Sequence, residues 1–290
     1  LDTPIGKQAF RDTYQLPRQP VILGPWATKH WSALRDWVDP STGLPNWDHL
    51  ETTYGDAPVS VMERSFPDWK PDRRPGRLYC KDWHFQQAFS SLPSVYTVPE
   101  VLADDWLNAW WDHRSGEGIQ DDFRFAYLGY AGSWTSLHAD VFRSHSWSAN
   151  ICGIKRWILF PPSQEAPLLD PSHPHLVKDG NPLDVQDYSS LPPHAIIYQY
   201  PGEVVFVPSG WYHQVENMGP TISLNHNWSN ASNVSLMTQV LGEDLEEVSG
   251  AIQHFRQALG KEYDEHCQTL LRANTGWNCR EYWRYLTWAV

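Results

Sequence analysis

Between Asp122 and Asn227 the chain breaks into short strand-like runs separated by turns containing Gly, Pro and Asn, and the first, Phe123–Tyr130, alternates and is rich in aromatics. A period of two is the signature of β-strands that present opposite faces to different surroundings. Such runs are Phe123–Tyr130, the segment around His138, Ser146–Cys152, Arg156–Phe160, Ala195–Tyr200, Glu203–Val207, Tyr212–Glu216 and Thr221–Asn227. About eight short strands this close together predict a closed or double sheet of the jelly-roll or cupin type.

The remaining chain reads as helical flanks, so the fold class is mainly β with helices at both ends. At 290 residues a single domain can bury a full core. Residues 1–120 read as an α/β flank, 121–232 as the β core and 233–290 as a helical region. In the first part Val21–Leu23 and Ala57–Val61 read as strands, and Pro45–Leu50 as a loop entering a helix. Helices are expected at Trp26–Trp37, Lys81–Phe89 and Val98–Trp111. Pro67–Arg77 reads as a solvated Pro-rich connector, and Pro161–Pro193 as a long insertion lying over one barrel end. Its His173 and His175 read as an exposed pair rather than a second metal site. In the tail Leu245, Val248, Ile252, Phe255 and Leu259 form one apolar stripe at helical spacing, expected to pack on the barrel.

The formal net charge of −12 argues against general affinity for nucleic acid or an anionic membrane surface. No apolar run is long enough to span a bilayer, and no signal peptide is recognisable at the first residues. Cys80, Cys152, Cys267 and Cys279 show no paired spacing, and free thiols in a reducing compartment are expected. The sequons at Asn227, Asn230 and Asn233 are read as chance, because glycans there would block the site described next. The cytoplasm is the expected address, with the nucleus as an additional one. The 17 tryptophans are read mainly as core and pocket lining.

The chemistry centres on His138 and Asp140, which at i and i+2 share one face of a strand. His213, in Trp211-Tyr212-His213, is the third candidate ligand. Two imidazoles and one carboxylate that leave further positions open form the facial triad of non-haem Fe(II) oxygenases. Lys155 stands in an otherwise apolar run, where a buried ammonium is costly unless an anion meets it, and a dicarboxylic cosubstrate would supply that anion. The alternative for Lys155 is an edge-strand residue snorkelling to solvent. Thr135 places a hydroxyl three residues before His138.

The run His138–Trp157 and the segment Pro201–Val215 resemble a JmjC domain. More narrowly, Leu78-Tyr79-Cys80-Lys81-Asp82-Trp83-His84 and Trp147-Ser148-Ala149-Asn150 resemble the jumonji-domain-containing protein 4 family, with similarity from about Pro20 to Asn233. The resemblance implies a double-stranded β-helix that binds Fe(II) and 2-oxoglutarate, consumes O2 and hydroxylates protein side chains. It makes His138, Asp140 and His213 the iron ligands, pairs Lys155 with the distal carboxylate of 2-oxoglutarate and gives Thr135 a hydrogen bond to it. Asn225 and Asn227 match positions lining the cosubstrate pocket, and Tyr127 is a further candidate for the same carboxylate. Where several relatives carry Asn on the strand after the first two ligands, this chain has Ser148, with Asn150 nearby.

The resemblance points to lysyl hydroxylation of eukaryotic translation release factor 1, with no direct nucleic-acid or membrane partner. An N-methyl-lysine demethylase shares the same iron chemistry. The intact set His138, Asp140, His213 and Lys155 argues against a cupin-like binding module that has lost turnover, and a zinc hydrolase using the same triad would leave Lys155 unexplained.

Overall fold

The computed structural model describes residues 1–59, 61–63, 78–117, 122–164, 169–170, 173–177 and 191–289. Two antiparallel sheets face each other, as the strand pattern requires. In chain order the strands are β1 (Val21–Leu23), β2 (Val61–Glu63), β3 (Leu78–Trp83), β4 (Arg124–Gly129), β5 (Trp134–Ala139), β6 (His145–Cys152), β7 (Lys155–Phe160), β8 (Leu169–Asp170), β9 (His173–Val177), β10 (Ala195–Gln199), β11 (Val204–Val207), β12 (Tyr212–Asn217) and β13 (Thr221–Trp228). The larger sheet runs β1-β11-β6-β13-β4-β3-β2 and the smaller β10-β7-β12-β5, while β8 and β9 form a separate ribbon. This is a jelly roll with helical flanks, and three strands from the N-terminal part widen its larger sheet.

Alternation decides what each face of the larger sheet carries. Val204 and Phe206 on β11 and Trp147, Ala149 and Ile151 on β6 join one core cluster with Phe10, Leu23, Trp31, Trp37 and Phe85 of the N-terminal flank. Val205 and Val207 point the other way and pack inside the barrel with Trp157, Leu159, Trp211 and Val215 of the opposite sheet. Outward residues are therefore large and apolar, because the flank covers them. Ser146 and Ser148 of β6, and Ser223, Asn225 and Asn227 of β13, belong to the inward set. The flank thus dries the back of the sheet and leaves polar side chains for the barrel interior.

Several flank expectations need correction. Lys81–Phe89 is not a helix: residues 78–83 form β3, paired antiparallel to β4, and the helix that follows is only Phe85–Ala88. The pairing Cys80↔Leu128 and Trp83↔Ala126 inserts one extra residue into β3. That bulge, with Asp82 at φ 54°, hid the strand's alternation. Trp26–Trp37 contains only a 3-10 turn at Pro25–Ala27 and a short helix at Ala33–Asp36. Val98–Trp111 resolves into a 3-10 turn at Glu100–Leu102 and a helix at Trp106–Ser115, whose start is set by Asp105 accepting from the Asn108 amide. The helix entered after Pro45 is Trp47–Tyr54, capped by Asn46. The second N-terminal strand is Val61–Glu63, at the end of the expected Ala57–Val61. The Pro67–Arg77 connector and most of the 161–193 insertion, including the side chains of His173 and His175, lie outside the described residues.

In the tail, helices Val234–Ala251, Tyr263–Thr275 and Cys279–Ala289 are separated by short turns. The apolar stripe packs on the second of these helices rather than on the barrel: Val248 is buried with Tyr263 and Cys267, flanked by Leu245, Ile252 and Leu259. Phe255 is half exposed, because the first helix ends before it. All four cysteines are free thiols, three of them buried. Among the described residues no helix is long and apolar enough to cross a membrane.

Candidate active site

A cavity opens between the two sheets, and its wall includes nine of the ten candidate residues: Tyr127, Thr135, His138, Asp140, Ser148, Lys155, His213, Asn225 and Asn227. Asn150 is the exception. Its side chain is fully buried and donates to the backbone oxygen of Gly153, so it secures the β6–β7 turn instead of reaching the cavity.

Strand pairing builds the first cluster. His213 on β12 lies directly opposite His138 on β5, with ring centroids 4.3 Å apart. Asp140 follows the end of β5, and one ligand atom from each of His138, Asp140 and His213 lies within 4.8 Å of the others. Thr135 reaches the same cavity through a register shift: it pairs with Val215, while His138 pairs with His213. Three residues of β5 thus oppose two of β12, and the extra one turns positions three apart onto the same face.

The cluster is held from behind. His138 Nδ1 donates to the Ser136 carbonyl at 2.8 Å, which leaves Nε2 as an acceptor. Burial, followed by the neighbouring His213, pushes the His138 imidazole well below its ordinary value, keeping it neutral as a metal ligand must be. Asp140 accepts from Ser146 Oγ at 2.7 Å and from Asn227 Nδ2 at 2.9 Å, one donor on each oxygen. Asn227 also donates to Ser144 Oγ at 3.1 Å, so its amide bridges two points of the chain just after the ligand. Lone pairs remain on both carboxylate oxygens.

The second cluster is cationic. Lys155 is 2% exposed, and its ammonium donates to Ser223 Oγ at 2.5 Å. Burial lowers its pKa to about 7. Snorkelling is therefore ruled out. Tyr79 is buried on the cavity wall, and burial pushes its phenol up to about 12. Tyr127 donates its proton to Asp82 at 2.7 Å rather than into the cavity, and its ring lies 5.8 Å from the Lys81 ammonium and 5.9 Å from that of Lys155. Asn225 donates to Ser223 Oγ at 3.1 Å.

Tyr79, Ser146 and Ser223 escaped the sequence reading. Ser223 is two residues before Asn225, and Ser146 two before Ser148, so strand alternation alone assigns both to the inward face. Tyr79 lies on β3, a strand the sequence pattern does not reveal.

The donor set fits a divalent iron and a dicarboxylate. The buried Nδ1 of His213 and Oγ of Ser148 have no hydrogen-bond partner among the described residues, and the Lys155 ammonium meets no carboxylate among its hydrogen bonds there. Buried polar groups in that state need a ligand to complete them.

The comparisons agree. Residues 125–228 match the model of the JmjC domain, hydroxylase. The chain is 38% identical to a chicken (Gallus gallus) protein described as 2-oxoglutarate and iron-dependent oxygenase JMJD4, over 96% of this chain and 70% of the relative. It is 37% identical to the human protein of that description, over 94% and 70%. It is 36% identical to an Arabidopsis thaliana protein described as arginine-specific demethylase JMJ20, over 96% and 66%. With similarity of this level along nearly its whole length, the chain belongs to the JmjC family of 2-oxoglutarate- and iron-dependent oxygenases.

Proposed function

We propose that this oxygenase is a protein lysyl hydroxylase, with translation release factor 1 as its substrate. One observation carries the placement of the reaction: the His138–Asp140–His213 cluster and the buried Lys155 share the wall of one cavity. In this reading His138 Nε2, a carboxylate oxygen of Asp140 and an imidazole nitrogen of His213 hold Fe(II). Lys155, Thr135 and Tyr79 hold the distal carboxylate of 2-oxoglutarate, while Ser148 and Asn225 line its path. Iron with 2-oxoglutarate and O2 supplies the oxidising power to hydroxylate a C–H bond.

The chain's own residues then do three things. Ser136, Ser146 and Asn227 fix the orientation of the ligands, so little reorganisation is needed on loading. Lys155 turns its desolvation cost into selectivity, because only an anion of the right length relieves it. Trp157 and Val215 form the apolar part of the wall and keep water from the reacting centre. At the rim, Asp82 offers an exposed carboxylate fixed by Tyr127, which suits a cationic substrate side chain. A cytoplasmic address follows from that substrate.

The test is mass spectrometry of recombinant release factor incubated with the protein, Fe(II), 2-oxoglutarate and air, with His138→Ala as control. Gain of one oxygen on one lysine, absent with the variant, supports the reading. Succinate release driven only by other proteins would discard the partner and keep the oxygenase. A second reading, removal of N-methyl groups, is favoured by the name of the Arabidopsis relative. Loss of a methyl group with formaldehyde release, in place of a retained oxygen, would identify it.

A further inference from the structure

The turn that leaves Asp140 is strained. Asp140 itself is extended (φ −59°, ψ 151°), but Phe142 follows at φ 53°, ψ 17° and Arg143 at φ 52°, before the chain returns to extended backbone at Ser144. Two consecutive non-glycine residues in the left-handed region are costly for L side chains, and such a pair persists only where its surroundings hold it. Both side chains are held, each by a different part of the molecule.

Phe142 packs its ring against Trp277, with centroids 5.7 Å apart at 77°, and against Phe123 at 6.2 Å and 74°. Trp277 is 2% exposed and lies just before the last helix, in an aromatic cluster with Trp111, Tyr282 and Tyr285. Arg143 reaches the smaller sheet. Its guanidinium donates to the Tyr212 hydroxyl at 2.9 Å and lies 4.7 Å from that ring's centroid. Tyr212 is the neighbour of His213, and it pairs with Ala139, the residue before Asp140.

We infer that Phe142 and Arg143 are positioning residues for the metal centre: Phe142 anchors the exit from Asp140 to the C-terminal helical layer, and Arg143 ties that exit to the strand carrying His213. The inference rests on the reading of His138, Asp140 and His213 as metal ligands. It gives the C-terminal helices a task in the chemistry, since their Trp277 supports one of the three ligands from outside the barrel. Without the two clamps the strained pair relaxes and the Asp140 carboxylate leaves its place opposite the imidazoles. Metal affinity is then lost before the fold is.

The test is titration of the intact chain with Co(II), followed by its visible absorption, in Arg143→Met, Phe142→Ala and His138→Ala variants. Phe142→Ala keeps a Cβ, and with it the cost of the left-handed conformation, while removing the ring contact that holds it. Tyr212→Phe is a second route to the Arg143 clamp, since it keeps the ring and core and removes only the hydroxyl. We expect Arg143→Met and Phe142→Ala each to weaken Co(II) binding by about tenfold to a hundredfold, with far-UV circular dichroism unchanged. Tyr212→Phe should weaken it several-fold. Affinity within twofold of the parent in either main variant, while His138→Ala fails to bind, overturns the inference and leaves the triad standing. If His138→Ala binds Co(II) like the parent, the triad reading fails and the inference falls with it.

Discussion

The ammonium of Lys155 on β7 donates to the hydroxyl of Ser223 on β13, joining the two sheets at 2.5 Å. No carboxylate shares that hydrogen bond, and burial lowers the lysine to about pKa 7 against an ordinary 10.5. Between pH 7 and 10.5 the unfolded chain therefore carries a proton that the empty folded site does not, and apo stability rises with pH across that window. Binding of a dianion reverses this, because the charged lysine is the form that pairs with it. Above pH 7 the affinity for 2-oxoglutarate should fall by about tenfold per pH unit, with one proton taken up on binding. Calorimetry in buffers of different ionisation enthalpy reads both quantities, and a pH-independent affinity from 7 to 9 would remove Lys155 from the cosubstrate site.

Lys155→Met should separate stability from function. Removing a buried cation with so little compensation should stabilise the cosubstrate-free chain by about 1 kcal/mol or more at neutral pH. It should weaken 2-oxoglutarate binding by about a hundredfold. A lower melting temperature in the variant would mean that the ammonium is better satisfied than its hydrogen bonding indicates.

The register shift in β5 gives a sharper test of the site. Deleting Ser136 removes the extra residue, so Thr135 and His138 become two apart in strand pairing with β12, and the backbone acceptor for His138 is lost as well. Co(II) binding should fall by about tenfold or more, and the cosubstrate contact of Thr135 should weaken with it. Unaltered affinities for both ligands would show that the bulge plays no part in the site.

Burial of His145, like that of His138 and His226, should weaken the fold in acid. His145 is buried between Ser209, whose backbone N–H donates to Nδ1 at 3.0 Å, and Ser232, whose hydroxyl meets Nε2 at 2.9 Å. Burial pushes its imidazole down to about 3. Below pH 6.5 the unfolded chain gains a proton that the native chain cannot take, so stability declines as pH falls from 6.5 towards 3. Thermal melts of the parent should drop more steeply over that range than those of His145→Gln, and parallel slopes would argue that other groups control acid unfolding.

How far the sequence could be read follows from where a short β-forming run is bounded by turn residues, whether it alternates, as Thr221–Asn227 does, or is apolar on both faces, as Val204–Val207 is. Glu203–Val207 and Thr221–Asn227 have one face against the N-terminal flank and the other inside the barrel, and each observed strand matches the expected one to within a residue at either end. β3 failed because Asp82 breaks its period, and a bulge has no signature in hydrophobicity alone. The helical stripe of the tail was visible, but its partner was not: a stripe says that something covers Val248, and only tertiary packing says that Tyr263 does. The same limit hid Tyr79, whose place in the cavity depends on that misread strand. It also misassigned Asn150, which lies on a correctly read strand but beyond the cavity's end.

His138 and His213 are adjacent in the sheet and far apart in the chain, with strands β6 to β11 between them. An unfolded or partly folded chain can offer a passing ion only the His138–Asp140 pair, a weak two-point chelate. On the proposed ligand reading the third donor would arrive only when β12 docks against β5, which would make capture of the ion a checkpoint on completed assembly. A chain that stalled before that docking would stay empty, and so could not consume oxygen and cosubstrate unproductively while still folding.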